Sequence, residues 1–454
     1  MTPLNVLLVT YSFPPAGGVG VLRAASLARY LPSQGIRLDV LTTRNASAVG
    51  ADYALLEDIP AEVNLHRTFT LDLPFGIKKG IKKLIAGAKA PVATTAGPRN
   101  PSFLKGALQD ILLPDPQVTW LPVLTRIARR LVRERKIDLV LITVPPFSTV
   151  LLVGKLRKEF PNLPIVVDFR DEWLSTTIDL VSFSRSERAL RIAREAERCA
   201  VTNATAIVAV TEAARREIRP RYPEEPESKF LLIPNGFDST RLLRSMPSSE
   251  PRPGGKIVVT YVGSVYASTE PATVVQALQS LSPELKSRFR LRFIGHIEEP
   301  RFRADLLRLG DMVELKGFLP QREALAAMNE TDYVLLITHD PLNVGGKFYD
   351  YVGRGKPILG AVHPEGETRR LLEELRAGWW ADIHDVDGIR RLFLDAAARG
   401  NSLRSEFQPD RERIAQYERK VLAQRYAALL HSIAGRQPED GLHAPAAEPA
   451  GDGR

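Results

Sequence analysis

Residues 345–359 read GGKFYDYVGRGKPIL, and this stretch predicts more about the fold of the chain than any other. Two glycines precede a short helical pattern, and an apolar strand follows it. Glycines at the start of a helix let backbone N–H groups approach an anion, and the helix N-terminus adds partial positive charge. Lys347 adds a full charge there, and Asp350 lies about one helical turn away. This combination suits a nucleotide-sugar pocket; the alternative is a glycine-rich loop with a solvated lysine.

A second glycine loop lies near the N-terminus, between an apolar strand at residues 5–9 and a helical pattern at residues 23–31. The loop reads SFPPAGGVG over residues 12–20, and residues 36–42 have the pattern of the next strand. Strand, loop, helix and strand form a βαβ unit, in which ligands bind at the carboxyl ends of the strands. Position 23 is Arg23 and not glycine, so the loop is not the dinucleotide-binding fingerprint.

The second half of the chain repeats this alternation of strands and helices. Its pattern predicts strands at residues 256–262, 291–295, 313–317 and 333–338, with a helix at 271–281. Two α/β halves of domain size predict two doubly wound domains, because one sheet would not need so many residues. The cleft between them is the expected ligand site.

Five motifs, in order, resemble the retaining family-four glycosyltransferases with the GT-B fold, of the bacterial polysaccharide-biosynthesis type. They are YSFPP at 11–15, DFRDEW at 168–173, IPNGFD at 233–238, YVGS at 261–264 and GKFYDY at 346–351. The resemblance implies an α/β fold in which two Rossmann-like domains face across a cleft and a C-terminal helix crosses back to the first domain. It also implies transfer of a sugar from a nucleotide diphosphate donor with retention of configuration, without a metal or another cofactor.

The resemblance implies a donor site built from several segments. Its members here are Gly17, Gly18, Gly263, Ser264, Gly345, Gly346, Lys347 and Asp350. Asp350 matches the second acidic residue of the family's paired-glutamate motif, which holds the ribose hydroxyls. The first acidic residue of that pair falls at Leu342, which cannot bind a sugar hydroxyl, and Asp340 is a substitute two residues away.

The arginine and lysine that usually follow the interdomain glycine are missing, and Ser264 occupies the arginine position. Lys347 is therefore the main candidate for neutralising the diphosphate, and we name Lys347, Arg170 and Asp171 as catalytic candidates. Arg170 falls where many relatives place a histidine near the sugar; the alternative is an internal Arg–Asp pair that fixes its loop. Positioned N–H groups and a lysine in a dry cleft would stabilise the charge of the departing nucleotide diphosphate.

The composition and charge of the chain restrict the binding partners that we expect. The chain has 454 residues, a formal net charge of +9 and a sequence pI of about 9.5. Lysines at positions 78, 79, 82, 83 and 89 flank an apolar stripe within residues 75–89. Such a segment suits an anionic membrane surface or a lipid-linked acceptor, and the alternative is a helix covering the first domain. No nucleic-acid motif accompanies the charge, so we expect no nucleic-acid partner.

The same features predict the cellular location. No transmembrane helix or secretory signal is evident, and Cys199, the single cysteine, cannot form an internal disulfide. We therefore expect a cytoplasmic enzyme that contacts the inner membrane face peripherally.

We predict a first, acceptor-side domain at residues 1–245 and a nucleotide-sugar domain at 246–409. A crossover helix at 410–434 and a disordered tail at 435–454 complete the chain. The predicted function is a hexosyltransferase with UDP as the favoured donor nucleotide and a glycan, lipid-linked or small-molecule acceptor. The alternatives are a nucleotide-sugar 2-epimerase of the same fold and, because of Leu342, a nucleotide-sugar binding protein that has lost catalysis.

Overall fold

The computed structural model describes residues 3–46, 51–71, 113–175, 187–243, 255–265, 269, 272–298, 300–319, 321–399 and 406–436. The predicted lysine-rich segment at 75–89 and all of the predicted tail at 435–454 except its first two residues lie outside the described residues. Within these ranges, no helix is both long enough and apolar enough to cross a membrane.

Among the described residues, the first sheet has seven parallel strands in the spatial order β3-β2-β1-β4-β5-β6-β7. In chain order the strands are β1 Leu4–Val9, β2 Ile36–Thr43, β3 Asn64–Thr68, β4 Leu139–Val144, β5 Ile165–Phe169, β6 Ala206–Ala209 and β7 Phe230–Leu232. β4 reads LVLITV and is buried throughout, as expected for a parallel strand covered on both faces. The strand order reverses between β1 and β4, so the loops after these two strands border a crevice.

The second sheet has six parallel strands within the described ranges, in the order β10-β9-β8-β11-β12-β13. They are β8 Ile257–Val262, β9 Phe289–Ile294, β10 Val313–Gly317, β11 Tyr333–Thr338, β12 Ile358–Val362 and β13 Gly378–Asp382. Its order reverses between β8 and β11. The loops after these strands carry Gly263 and the stretch from residue 339 to Gly345, so both predicted glycine motifs of this half lie at the reversal.

Helices cover both faces of the sheets. Around the first sheet they are α1 Val19–Tyr30, α2 Ala54–Glu57, α3 Leu121–Glu134, α4 Leu151–Glu159, α5 Glu187–Asn203, α6 Glu212–Ile218 and α7 Ser239–Leu243. Around the second they are α8 Ala272–Gln279, α9 Pro283–Arg288, α10 Pro300–Leu307, α11 Gln321–Ala327, α12 Gly346–Gly353, α13 Glu367–Glu374 and α14 Val386–Arg399. The last described helices are α15 Arg411–Ala415 and α16 Arg419–Ile433.

The predicted fold class, two doubly wound α/β domains with a returning C-terminal helix, is confirmed. α16 packs on the first domain, where Leu422 and Leu430 join a buried cluster with Leu8 and Leu27. Full burial of each leucine side chain contributes about 1.5–3 kcal/mol. The last helix of the chain is therefore part of the core of the first domain.

Two boundaries predicted from the sequence are wrong. The apolar run at residues 164–167 predicts a strand that ends before Asp168, but β5 continues to Phe169, so Asp168 lies inside the sheet and not in the following loop. The single helix predicted at 410–434 is broken between α15 and α16. It breaks because the Phe237 N–H donates to the Tyr417 carbonyl at 3.1 Å, and the Arg419 N–H donates to the Phe237 carbonyl at 2.8 Å. The two segments that pass between the domains thus pair with each other.

Arg23 joins these parts through a buried network. Its guanidinium makes a bidentate ion pair with Asp168, at 2.9 Å for both bonds, and also donates to the Tyr426 hydroxyl. It donates further to the carbonyls of Ile233 and Pro234, at 2.8 and 2.7 Å. Burial raises the pKa of Tyr426 far above its usual value, so the hydroxyl keeps its proton and donates to Asp168. One side chain therefore links α1, β5, the interdomain segment and α16.

We predict that Arg23→Met lowers the free energy of unfolding of the first domain by about 3–5 kcal/mol, because Asp168 would remain buried and unpaired. Denaturant unfolding followed by tryptophan fluorescence measures this loss. The control is Arg216→Met, which removes an exposed ion pair with Glu212 and should cost less than about 1 kcal/mol. Equal losses in the two variants would contradict the role given to Arg23.

Candidate active site between the domains

The glycine loop of the first domain touches the glycine motif of the second. Gly18 has a φ of 105°, a conformation that favours glycine, and α1 begins at the next residue. A Cβ placed on Gly346 would lie 2.5 Å from Cγ1 of Val19. The N-termini of α1 and α12 therefore meet, with Gly17 and Gly18 just before Val19 and Gly345 just before Gly346; that these glycines bind a donor remains a prediction. Two converging helix N-termini make a region of positive potential with free N–H groups.

Lys347 lies beside this meeting point and above the turn that follows β8. Its Nζ donates to the Tyr261 hydroxyl at 2.6 Å and lies 4.2 Å from the centroid of that ring. Gly263 has a φ of 132°, and a Cβ there would lie 3.1 Å from the same nitrogen. The structure thus brings Lys347 to Gly263 and Ser264. No carboxylate among the described residues forms an ion pair with Lys347, so its charge is available to an anion.

The sequence analysis did not identify Tyr261 as a functional residue. The tyrosine is 1% exposed, and its hydroxyl donates to the Ser264 carbonyl at 3.3 Å while accepting from Lys347. It therefore fixes both the lysine and the turn. The place of Tyr261 in the YVGS motif, directly before the glycine turn, was the available sequence signal for a functional role. Its partner Lys347 is 86 positions away, so the pairing itself has no local sequence pattern.

Asp350 lies one turn beyond Lys347 in α12, on the wall of a narrow crevice between the domains. Arg29 and Asp238 of the first domain, and Arg419 of α16, line the same crevice, whose volume is ≈ 30 Å³. Burial raises the pKa of Asp350 to about 6, against the opposing effect of Arg419 and other arginines. The carboxyl faces the interdomain space, and its binding of ribose hydroxyls remains a prediction.

Arg170 braces the loops at the strand-order reversal of the first sheet. It donates to three backbone carbonyls. One belongs to Gly20, in the stretch after β1; the others belong to Val144, the last residue of β4, and to Pro145, which follows β4. Burial lowers the pKa of Arg170. These contacts are with carbonyl groups, which differs from the internal Arg–Asp pair considered from the sequence. They support a positioning role, and direct participation in catalysis remains a prediction.

Asp171, the next residue, has a different environment. It is half-buried and makes no hydrogen bond with another described residue. Burial raises its pKa; Asp340 and Asp168 act in the same direction, and Arg170 opposes them. A carboxyl group of this kind can hold a hydroxyl group of a ligand, so the structure is compatible with the catalytic role predicted for Asp171.

Asp340, the suggested substitute for the missing acidic residue, is hydrogen-bonded within its own loop. Its Oδ1 accepts from the backbone N–H groups of Leu342 and Asn343, and its Oδ2 accepts from the Asn343 amide. Thr211 of the first domain donates to the Leu342 carbonyl at 2.6 Å. The loop that should carry the first acidic residue is instead held by local bonds and docked against the first domain.

An aromatic pair lies beside the same turn. His296 and Phe318 follow β9 and β10, and their rings stack with centroids 5.4 Å apart and planes 11° apart. The Val265 N–H donates to the His296 carbonyl at 2.8 Å, which places the pair next to the Gly263 turn. Phe318 is 55% exposed and offers a flat apolar face to a planar ring. Of the described His, Cys, Asp and Glu side chains, no three are grouped as metal ligands would be.

The amino-acid sequence has recognisable relatives. Residues 17–236 match the family described as the glycosyl transferase 4-like domain. A protein of Salmonella typhimurium named as the colanic acid biosynthesis glycosyltransferase WcaL is 25% identical over 217 residues, which cover 46% of this chain and 52% of the relative. The chain thus spans about half the length of this curated relative.

Solved structures share the whole fold. Anabaena HepE in complex with UDP is 15% identical, with a TM-score of 0.60 and coverage of 94% of this chain and 100% of that chain. Sucrose-phosphate synthase from Thermosynechococcus elongatus is also 15% identical, with a TM-score of 0.64 and coverage of 95% and 99%. Similarity at this level of identity shows the fold alone. Residues 17–236 therefore match a glycosyl transferase 4-like domain, and the chain as a whole has the two-domain fold of these solved structures.

Proposed function

We propose that this protein is a retaining glycosyltransferase that uses a nucleotide diphosphate sugar, with UDP as the favoured nucleotide. The observation that carries the proposal is the position of Lys347. Its Nζ is held by Tyr261 over the Gly263 turn, next to the meeting point of two helix N-termini. A cation without an ion pair in the described structure, beside free N–H groups, is a site for a diphosphate.

The proposed reaction uses this site to stabilise the leaving group. The acceptor hydroxyl forms a bond with the anomeric carbon while the bond from that carbon to the diphosphate oxygen breaks. The electron pair remains on the diphosphate, which takes the proton of the acceptor hydroxyl. Lys347 and the N–H groups lower the energy of the departing charge, and the narrow interdomain space excludes water.

Other residues would bind the rest of the donor. Asp350 as a carboxylate would accept hydrogen bonds from ribose hydroxyls, and the stacked rings of His296 and Phe318 would contact the base. The choice of UDP has support from the structural relative HepE, which has been crystallised with UDP, with UDP and glucose, and with UDP-glucose.

We propose a glycan or a lipid-linked sugar as the acceptor, with Asp171 holding a hydroxyl group of one substrate. The name of the relative WcaL, which refers to colanic acid biosynthesis, supports an acceptor of this class. A lipid-linked acceptor would be met at the cytoplasmic face of the inner membrane, where we place the enzyme.

The test is incubation with UDP and GDP sugars in the presence of glycan and lipid-linked acceptors. A glycosylated acceptor whose new bond keeps the donor's anomeric configuration, seen by NMR, is the expected result. Inversion of configuration would overturn retention. An epimerised donor would support the 2-epimerase alternative, and tight donor binding without any product would support a binding protein.

We predict that Lys347→Ala slows sugar transfer by the equivalent of about 2–4 kcal/mol in the barrier, because one stabiliser of the leaving group is lost. Tyr261→Phe should cost about 0.5–1.5 kcal/mol, since the ring remains but the hydrogen bond to the lysine does not. Steady-state kinetics of both variants measures this. The control is Lys316→Ala, an exposed lysine paired with Glu314, and near-wild-type turnover of Lys347→Ala would rule out the assignment.

We also predict that donor binding weakens as the pH falls through about 6, the raised pKa of Asp350. Only the carboxylate accepts both ribose hydrogen bonds, so at one pH unit below this pKa the affinity should fall about tenfold. Asp350→Asn should weaken binding at neutral pH by about 1.5–3 kcal/mol and remove this pH dependence.

Calorimetric titration of a UDP sugar, whose diphosphate diester does not titrate near pH 6, into wild type, Asp350→Asn and a control, Asp387→Asn, distinguishes these effects. Asp387 lies in α14 with a side chain 69% exposed, and its substitution should leave both the affinity and its pH dependence unchanged. Equal affinity in wild type and Asp350→Asn at every pH would show that Asp350 does not bind the ribose.

A further inference from the structure

Exposed apolar side chains lie along one edge of the first sheet. Phe69 and Leu71 directly follow β3 and are 63% and 74% exposed, and Val123, near the start of α3, is 41% exposed. The Trp120 Nε1–H, one residue before α3, donates to the hydroxyl of Thr68 at the end of β3. The three apolar side chains therefore belong to one region, at the carboxyl ends of the strands.

A stripe of arginines on α3 continues from this apolar region. Arg126, Arg130 and Arg133 are exposed and follow Val123 at helical spacing, whereas the opposite face of the helix is buried in the core. A groove of ≈ 790 Å³ runs along this face of α3 and also reaches Lys155 of α4.

The stripe has an excess of positive charge. Arg129 and Arg133 both form ion pairs with Glu159, and Arg130 forms one with Glu134. Arg126 has no ion pair with any described residue. Together with Lys155, five cations face two carboxylates, so the surface attracts anions beyond what its own acidic residues neutralise.

We propose that this surface, made of Phe69, Leu71, Val123 and the exposed arginines of α3, docks on a bilayer that contains anionic lipids. We call it the α3 edge. Arginines beside exposed apolar side chains match the boundary of such a bilayer, where cations meet lipid phosphates and apolar groups enter the acyl layer. Binding of a nucleic acid would leave the apolar side chains without a partner.

Docking there would also orient the candidate active site. The apolar end of the α3 edge and the loops that carry Gly18 and Asp171 lie at the carboxyl ends of the strands of the first sheet, while the arginines extend along α3 toward the start of β4. The cleft would then open close to the membrane, within reach of a lipid-linked acceptor. This consequence rests on the proposed function, but the binding of the surface to lipid does not.

The test is flotation of the full chain with vesicles of phosphatidylcholine, with or without phosphatidylglycerol. We expect wild type to float only with the anionic vesicles, and added salt to release it. Replacing Arg126, Arg130 and Arg133 with glutamine should weaken partitioning on the order of a hundredfold. Val123→Ser should weaken it several-fold.

Matched controls lie on α10 of the second domain, which exposes Leu307 and the nearby Arg301, Arg303 and Arg308. Changing the three arginines to glutamine, or Leu307→Ser, should leave flotation as in wild type. The proposal is overturned if wild type does not float, if it floats equally on neutral vesicles, or if the α3 and α10 variants behave alike.

Calorimetric binding of UDP by the α3 triple variant, without vesicles, separates this proposal from the proposed function. Lost flotation with unchanged UDP affinity supports docking at the α3 edge. If wild type floats as expected but binds no UDP, the membrane proposal stands and the donor assignment fails. If wild type binds UDP but does not float, the donor assignment stands and the membrane proposal fails.

Discussion

The buried ion pair of Arg23 with Asp168 is the interaction on which the packing of α1, the first sheet and the returning C-terminal helix depends. It joins the middle of α1 to the end of β5, and Tyr426 adds α16 to the same network. An unpaired charge at this depth costs several kcal/mol, so each partner requires the other. The remaining N–H groups of Arg23 bind carbonyls of the segment that leaves the first domain. The helix, the sheet and the passages between the domains are therefore held by one side chain.

Because Arg23 fixes α1 against the sheet, the N-terminus of this helix has a defined direction. It meets α12 at the contact of Val19 with Gly346, and the positive ends of the two helices add at one place. Lys347 supplies the full charge there. In the sequence, Arg23 only excluded a dinucleotide fingerprint. In the fold, Arg23 anchors α1, the helix of this βαβ unit that borders the cleft.

The charges around the cleft divide into those with protein partners and those without. Arg170 is bound to three carbonyls, and Asp340 caps its own loop. Asp171 makes no hydrogen bond within the described structure, and Lys347 forms no ion pair there. The first two hold loops in place, while the other two are available to a ligand. Leucine at position 342 fits this division, because its loop is anchored through its backbone carbonyl and not through an acidic side chain.

The alternation of apolar strands with helices was enough to predict the two doubly wound sheets, because hydrophobic periodicity is a local property. The motif around Lys347 likewise predicted an anion site, since a helix N-terminus, glycines and a lysine are adjacent in the chain. The partners of these residues could not be predicted in the same way. The sequence pattern predicts a loop at Asp168, although this residue lies within β5 and pairs with Arg23, 145 positions earlier. Tyr261, which holds Lys347, was not identified at all. Contacts over such distances arise only when the sheets and α16 pack, so tertiary structure decided which charges are bound and which remain available.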